Sequence, residues 1–139
     1  MPASKGSAAW QGDLKSGRGQ FSAGYGIEGE YSFRTRFEDG PGANPEHLIA
    51  SAYAACFSMA LSNVLAQAGS TPDSVKTEAT VTMTPGTGIT AIALVTVGAV
   101  PGIDQAAFAE HAHAAKENCP VGKALASVPE ITLEASLAS

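Results

Sequence analysis

The chain has 139 residues, of which 45% are apolar and only 15% charged, with a formal net charge of −5. At this length one domain spanning 1–139 is expected, and the composition excludes a disordered chain, a collagen and a coiled coil. The eight basic residues are scattered along the chain, so no nucleic-acid groove is expected. So low a charge content implies extensive burial, either within the subunit or against a second copy of it.

Met1–Trp10 holds no apolar run, so no signal peptide is expected. Ala8–Leu14 alternates weakly and reads as a strand, Ser16-Gly17-Arg18-Gly19 as a turn, and Gln20–Ala23 as a second strand. Glu30–Phe37 alternates at period two, which predicts a strand with Tyr31, Phe33, Thr35 and Phe37 on one face and Ser32, Arg34 and Arg36 on the other. After a loop over Glu38–Ala43, Asn44-Pro45-Glu46 has the makings of a helix start: a capping side chain, a proline at the first helical position, and an acid at the positive end of the dipole.

That helix is expected to run to about Ala68 and to stop at Gly69. No residue from Leu48 to Pro72 is charged, and the stretch is long enough to cross a bilayer. It is dominated by alanine, however, carries Ser51, Ser58, Ser62, Asn63 and Gln67, and ends in a polar turn, so a helix buried in protein is predicted and no membrane. Val75–Thr84 alternates, Pro85–Gly88 is a hairpin turn, and Ile89–Val100 is a long β-branched strand. Asp104 caps a second helix running to about Asn118, a short third helix starts near Pro120, and Glu130–Leu137 is a last strand. Antiparallel strands broken by helices predict an α+β fold.

Cys56 and Cys119 stand 63 positions apart, with no Cys-x-x-Cys spacing to suggest zinc. In a reducing cytoplasm, the expected compartment, paired cysteines are more often reactive than structural. Read alone, Cys56 between Ala55 and Phe57 is more often a small core hydrophobe than a reactive thiol. Cys119, before Pro120 at a helix start, would feel the positive dipole end and have a lowered pKa, or would simply mark the boundary. His111 and His113 fall on different helix faces without a third ligand, so no metal is expected. Ser51 and Ser58 lack the setting of a hydrolase nucleophile.

The run Asn44-Pro45-Glu46-His47-Leu48-Ile49-Ala50-Ser51-Ala52-Tyr53-Ala54-Ala55-Cys56-Phe57-Ser58-Met59-Ala60-Leu61 resembles the signature of the OsmC/Ohr family of thiol peroxidases, named for osmotically inducible protein C and organic hydroperoxide resistance. Glu117-Asn118-Cys119-Pro120-Val121 resembles that family's second cysteine motif. Trp10-Gln11-Gly12, Arg36-Phe37-Glu38 and Val100-Pro101-Gly102-Ile103-Asp104 resemble the OsmC branch more than the Ohr branch.

The resemblance implies an OsmC-like fold, antiparallel sheets wrapped around a long buried central helix, in an intertwined homodimer. It implies Cys56 as peroxidatic nucleophile, Cys119 as resolving thiol, and Arg36 with Glu46 as the supporting charged pair. It also implies reduction of organic hydroperoxides, and less well of hydrogen peroxide, in response to oxidative or osmotic stress. No metal or bound cofactor is implied, and an external thiol, such as a dihydrolipoamide-bearing protein, serves as reductant. A redox sensor or binding protein using the same cysteines as a switch is the alternative. Arg34 is the alternative cation to Arg36, and Phe57, Met59 and Leu61 are either selectors of alkyl substrates or plain core.

Spacing adds one inference of its own. Ten residues of straight helix separate Glu46 from Cys56 by about 15 Å along the axis. If both serve one site, Glu46 must come from an antiparallel second copy of the helix, which places two active sites at a two-fold interface.

Overall fold

The computed structural model describes residues 3–138. The chain divides into two compact units, the first ending at Leu48 and the second beginning at Ile49.

The first unit is a three-stranded antiparallel meander, β1 (Ser7–Gln11), β2 (Arg18–Gly24) and β3 (Ile27–Tyr31), in that spatial order. The β2–β3 hairpin closes on Tyr25-Gly26, both at positive φ (54° and 82°), the geometry whose twist suits a two-residue hairpin. Trp10 and Phe21 flank Tyr31 across the sheet, with ring centroids 5.5 and 6.2 Å from it.

The predicted strand over Glu30–Phe37 is corrected here. Only Glu30 and Tyr31 belong to β3, and Phe33–Phe37 forms a short helix, α1. A capping box decides it. Ser32 Oγ accepts from the Thr35 N–H at 3.2 Å, and Thr35 Oγ1 accepts from the Ser32 N–H at 2.9 Å. Phe33 and Phe37, one helical turn apart, then meet with centroids 4.9 Å apart.

Helix α2 spans Pro45–Gln67, as predicted. Asn44 Oδ1 accepts the His47 N–H at 2.8 Å at its start. At its end Gly69 takes φ +87°, while the Ser70 N–H returns to Leu65 O at 2.8 Å and the Gly69 N–H to Ala66 O at 3.0 Å. This is a Schellman stop, which glycine makes without strain.

In the second unit, β4 (Ser74–Thr84), β5 (Gly88–Ala99) and β6 (Glu130–Leu137) form one sheet with β5 central. β4 pairs antiparallel to β5, but β6 pairs parallel to it. The expectation of wholly antiparallel sheets is therefore corrected. α3 (Gln105–Asn118) and α4 (Pro120–Ala124) form the crossover that a parallel pair requires. Asp104 caps α3, its Oδ1 accepting the Ala107 N–H at 2.8 Å.

The core of this unit joins Tyr53, Phe57, Leu61 and Leu65 of α2, Ile92 and Leu94 of β5, and Phe108, Ala112 and Ala115 of α3. A hydroxyl chain adds a polar tether: Ser58 Oγ donates to Thr77 Oγ1 at 2.7 Å, which lies 3.0 Å from buried Thr96 Oγ1. α2 is thus long and apolar enough to cross a membrane, yet one stripe of it is a core seam. The opposite stripe, with Ala52, Ala55, Met59 and Asn63, is exposed, and Met59 is 75% accessible. The expected burial of the helix therefore holds for one face only.

Candidate active site

The four residues singled out in the sequence fall into two pairs, one in each unit. In the first unit, the capping box starts α1 so that Arg36 lies in its last turn. Asn44 then ties α1 to the start of α2. Its Nδ2 donates to Thr35 O at 2.7 Å while its Oδ1 caps α2, so Arg36 is held beside Glu46 in the first turn of α2. Arg36 Nε and Nη2 donate to Glu46 Oε1 at 3.2 and 2.9 Å.

Both donors converge on a single oxygen, Oε1. Oε2 and the remaining guanidinium N–H groups make no hydrogen bond among the described residues. The Glu46 side chain is 8% accessible and that of Arg36 40%, so the cation presents its outer edge. The guanidinium also lies 5.6 Å from the Phe37 ring centroid. Arg34 is exposed and has no ion pair among the described residues, which favours Arg36 as the built cation.

Beside this pair, Trp10, Leu14, Tyr31, Phe33, Phe37 and Arg36 line an apolar pocket of about 190 Å³. Of the three residues read as either substrate selectors or plain core, Phe57 and Leu61 are fully buried core, while Met59 is exposed.

In the second unit, Cys56 lies mid-way along α2, partly exposed. Cys119 is buried and caps α4. Both thiols are free, and Cys119 Sγ donates to Cys56 Sγ at 3.0 Å. The chain thus brings together two sulfurs 63 residues apart, about 1 Å beyond the roughly 2.05 Å of a disulfide. The Gly122 N–H donates to Cys119 Sγ at 3.5 Å.

The expected lowering of the Cys119 pKa is corrected. Burial raises it above its ordinary 9.0, the hydrogen bond to Cys56 raises it further, and the Gly122 N–H opposes them only in part. The dipole of a five-residue helix is too small to outweigh desolvation. Cys119 therefore keeps its proton at neutral pH. Between the unfolded thiol value near 9.0 and the higher folded value, the native state binds a proton that the unfolded chain has lost. Stability from this group is complete below about pH 9 and falls as pH rises through that window. Urea titrations of the reduced protein from pH 8 to 11 should show this loss, and Cys119→Ala should flatten it.

His111 is half-buried and His113 exposed, and among the described residues no cluster of three His, Cys, Asp or Glu side chains is placed to hold a metal. The sequence reading passed over Tyr53 and Gly122, which approach each other closely while Gly122 donates to Cys119 Sγ. Their signal was the spacing, three residues before Cys56 and three after Cys119.

A family model described as OsmC-like protein matches residues 38–134. Peroxiredoxin OsmC of Escherichia coli (strain K12) is 48% identical over 140 residues, covering 97% of this chain and 96% of that protein. The chain belongs to the OsmC family. Solved structures agree in fold. An organic hydroperoxide resistance protein from Elizabethkingia anophelis has a TM-score of 0.72 at 24% identity, covering 99% of both chains. An organic hydroperoxide resistance protein OsmC from Legionella pneumophila has a TM-score of 0.71 at 23% identity, covering both chains completely. The α+β architecture, with its two small sheets and long helix, is that of the OsmC family.

Proposed function

We propose that the chain is a thiol peroxidase that reduces organic hydroperoxides, and hydrogen peroxide less well, with Cys56 as the attacking sulfur and Cys119 as the resolving one. The observation that carries this reading is the Cys119 S–H donated to Cys56 Sγ at 3.0 Å. The partly exposed sulfur meets substrate, and the buried one waits with its proton.

The Cys56 thiolate attacks the distal oxygen of R–O–O–H. The O–O bond breaks, Cys56 becomes a sulfenic acid, and R–O⁻ leaves to take up a proton. Cys119 then attacks the Cys56 sulfur. The S–O bond breaks, a disulfide forms, and the hydroxide departs as water with the Cys119 proton. An external dithiol reopens the disulfide and is itself oxidised. That supply of thiol fits a reducing compartment, the cytoplasm.

A thiolate among apolar side chains needs a compensating cation. Arg36 suits the task because its charge is permanent and its unused donors are free to meet peroxide oxygens. Glu46 orients it. Glu46 and Cys56 lie ten residues apart on one unbroken helix, about 15 Å along the axis. The reading therefore places the Arg36–Glu46 pair of one copy at Cys56 of a second, in a homodimer with two interfacial sites. The exposed stripe of small residues and Met59 on α2 supports such an approach. The relatives' names support the activity: peroxiredoxin for the curated relative, organic hydroperoxide resistance for the structural ones.

The aromatic pocket beside Arg36 takes the organic tail of the substrate. Leu14→Ala should raise KM for an aryl hydroperoxide about tenfold while leaving that for hydrogen peroxide within about twofold, the discrimination a few apolar groups provide. The whole reading is tested by following consumption of tert-butyl hydroperoxide and hydrogen peroxide, with dithiothreitol or dihydrolipoamide as reductant. Sustained turnover, faster with the organic peroxide, is expected. Stoichiometric oxidation without turnover would indicate a switch instead of an enzyme.

A further inference from the structure

Tyr53 lies on α2 one turn before Cys56 and is 1% exposed. Its phenol fills the space where a side chain on Gly122 would begin. A Cβ at Gly122 would stand 2.8 Å from Tyr53 Oη and 3.3 and 3.4 Å from ring carbons Cζ and Cε1. The same Gly122 supplies the N–H that reaches Cys119 Sγ, and Cys119 in turn reaches Cys56. Tyr53, Gly122, Cys119 and Cys56 therefore form a closed circuit, completed by the turn of α2 that joins the first to the last. The tyrosine also senses the sulfurs. Burial first, and then electrostatic repulsion from the neighbouring sulfurs at high pH, hold its hydroxyl above the ordinary value of 10.0.

We infer that Tyr53 is a positioning residue for disulfide closure: its phenol seats the first turn of α4 so that the Cys119 sulfur faces Cys56. The inference rests on the cysteine roles proposed above. Its importance lies in a competition. The Cys56 sulfenic acid either loses water to Cys119 or meets a second hydroperoxide. In the second case the sulfur gains an oxygen, the peroxide leaves as R–OH, and a dead-end sulfinic acid remains. The first route is intramolecular and depends steeply on placement, an error of 1 Å costing up to about 10²-fold. Glycine at position 122 is then explained by the phenol, since alanine would favour the helix.

The test pairs two small changes. Gly122→Ala pushes a methyl against the hydroxyl. A pocket of about 270 Å³ bordered by Tyr53, Lys123 and Val128 gives the phenol room to shift without unfolding the chain. Tyr53→Phe removes the hydroxyl and leaves only the 3.3 and 3.4 Å ring contacts for that methyl. The readout is the ratio of Cys56 sulfinate to disulfide, by mass spectrometry of the whole chain after a fixed dose of tert-butyl hydroperoxide. The rate of the first step is read separately by sulfenate trapping.

Gly122→Ala should raise the ratio about tenfold, with the loss in the second step. Tyr53→Phe/Gly122→Ala should return it to within about twofold of wild type, a rescue that general loss of stability does not produce. A ratio unchanged in Gly122→Ala, or a double variant no better than Gly122→Ala alone, overturns the inference. Absence of any peroxide-dependent disulfide in the wild type would instead overturn the cysteine roles.

Discussion

Replacing Cys56 by serine should abolish peroxide consumption, by at least about 10³-fold, because the one thiol left, Cys119, is buried and holds its proton. Replacing Cys119 by serine should have a different signature. The first equivalent of hydroperoxide should still be consumed, because the attacking sulfur remains. Turnover should then stall, with Cys56 accumulating as sulfenic and then sulfinic acid. The difference follows from geometry: Cys119 is fully buried and protonated, 3.0 Å from a sulfur that is partly exposed. Rapid-quench peroxide assays with intact-mass measurement separate the two cases. A single turnover in Cys56→Ser, or sustained turnover in Cys119→Ser with dithiothreitol, would reverse or remove the assigned roles.

The parts of this molecule legible in its sequence are those set by local signals. Asn44-Pro45 and Gly69 bracket α2 because capping and the Schellman stop involve residues within a few positions of each other. Asp104 announces α3 in the same way, and the strict alternation of Glu130–Leu137 marks β6. α1 was hidden because Tyr31, Phe33, Thr35 and Phe37 satisfy two periods at once. The spacing that alternates across a strand also places Phe33 and Phe37 one turn apart on a helix. Ser32 and Thr35 break the tie, and a capping box closed by threonine is a weaker sequence signal than one closed by glutamate. The parallel pairing of β6 is not local at all; it depends on α3 and α4 carrying the chain back across the sheet.

At the candidate site the same division holds. The identities of Cys56, Cys119, Arg36 and Glu46 follow from motif resemblance, but burial does not, and burial is what turns the expected fall in the Cys119 pKa into a rise. Phe57 and Leu61 look like substrate contacts in the linear motif because they neighbour Cys56. Helical geometry sends them into the core, while the aromatic pocket beside Arg36 is assembled from residues 10 to 37.

The proposed sharing of each site between two subunits leads to the second large effect. Arg36→Met should lower activity by about 10²- to 10³-fold, the scale lost when one preorganised charge is removed from a reacting centre. Cys56→Ser should be inactive for its own reason. If the Arg36–Glu46 pair of one subunit serves Cys56 of the other, a heterodimer of these two inactive chains contains one site with both defects and one with neither. Co-expressed with different tags and isolated through both, it should therefore recover about half the wild-type activity per dimer. Were the pair and the sulfur of one site drawn from the same chain, every site in the heterodimer would carry one defect and recovery would be nil. The measurement needs no assumption about which peroxide is the natural substrate, since both defects act on the first step. It also links the two features that the sequence makes most conspicuous, the ten-residue spacing of Glu46 and Cys56 and the long helix that carries no charge beyond its first turn, to a single quantity read in a cuvette.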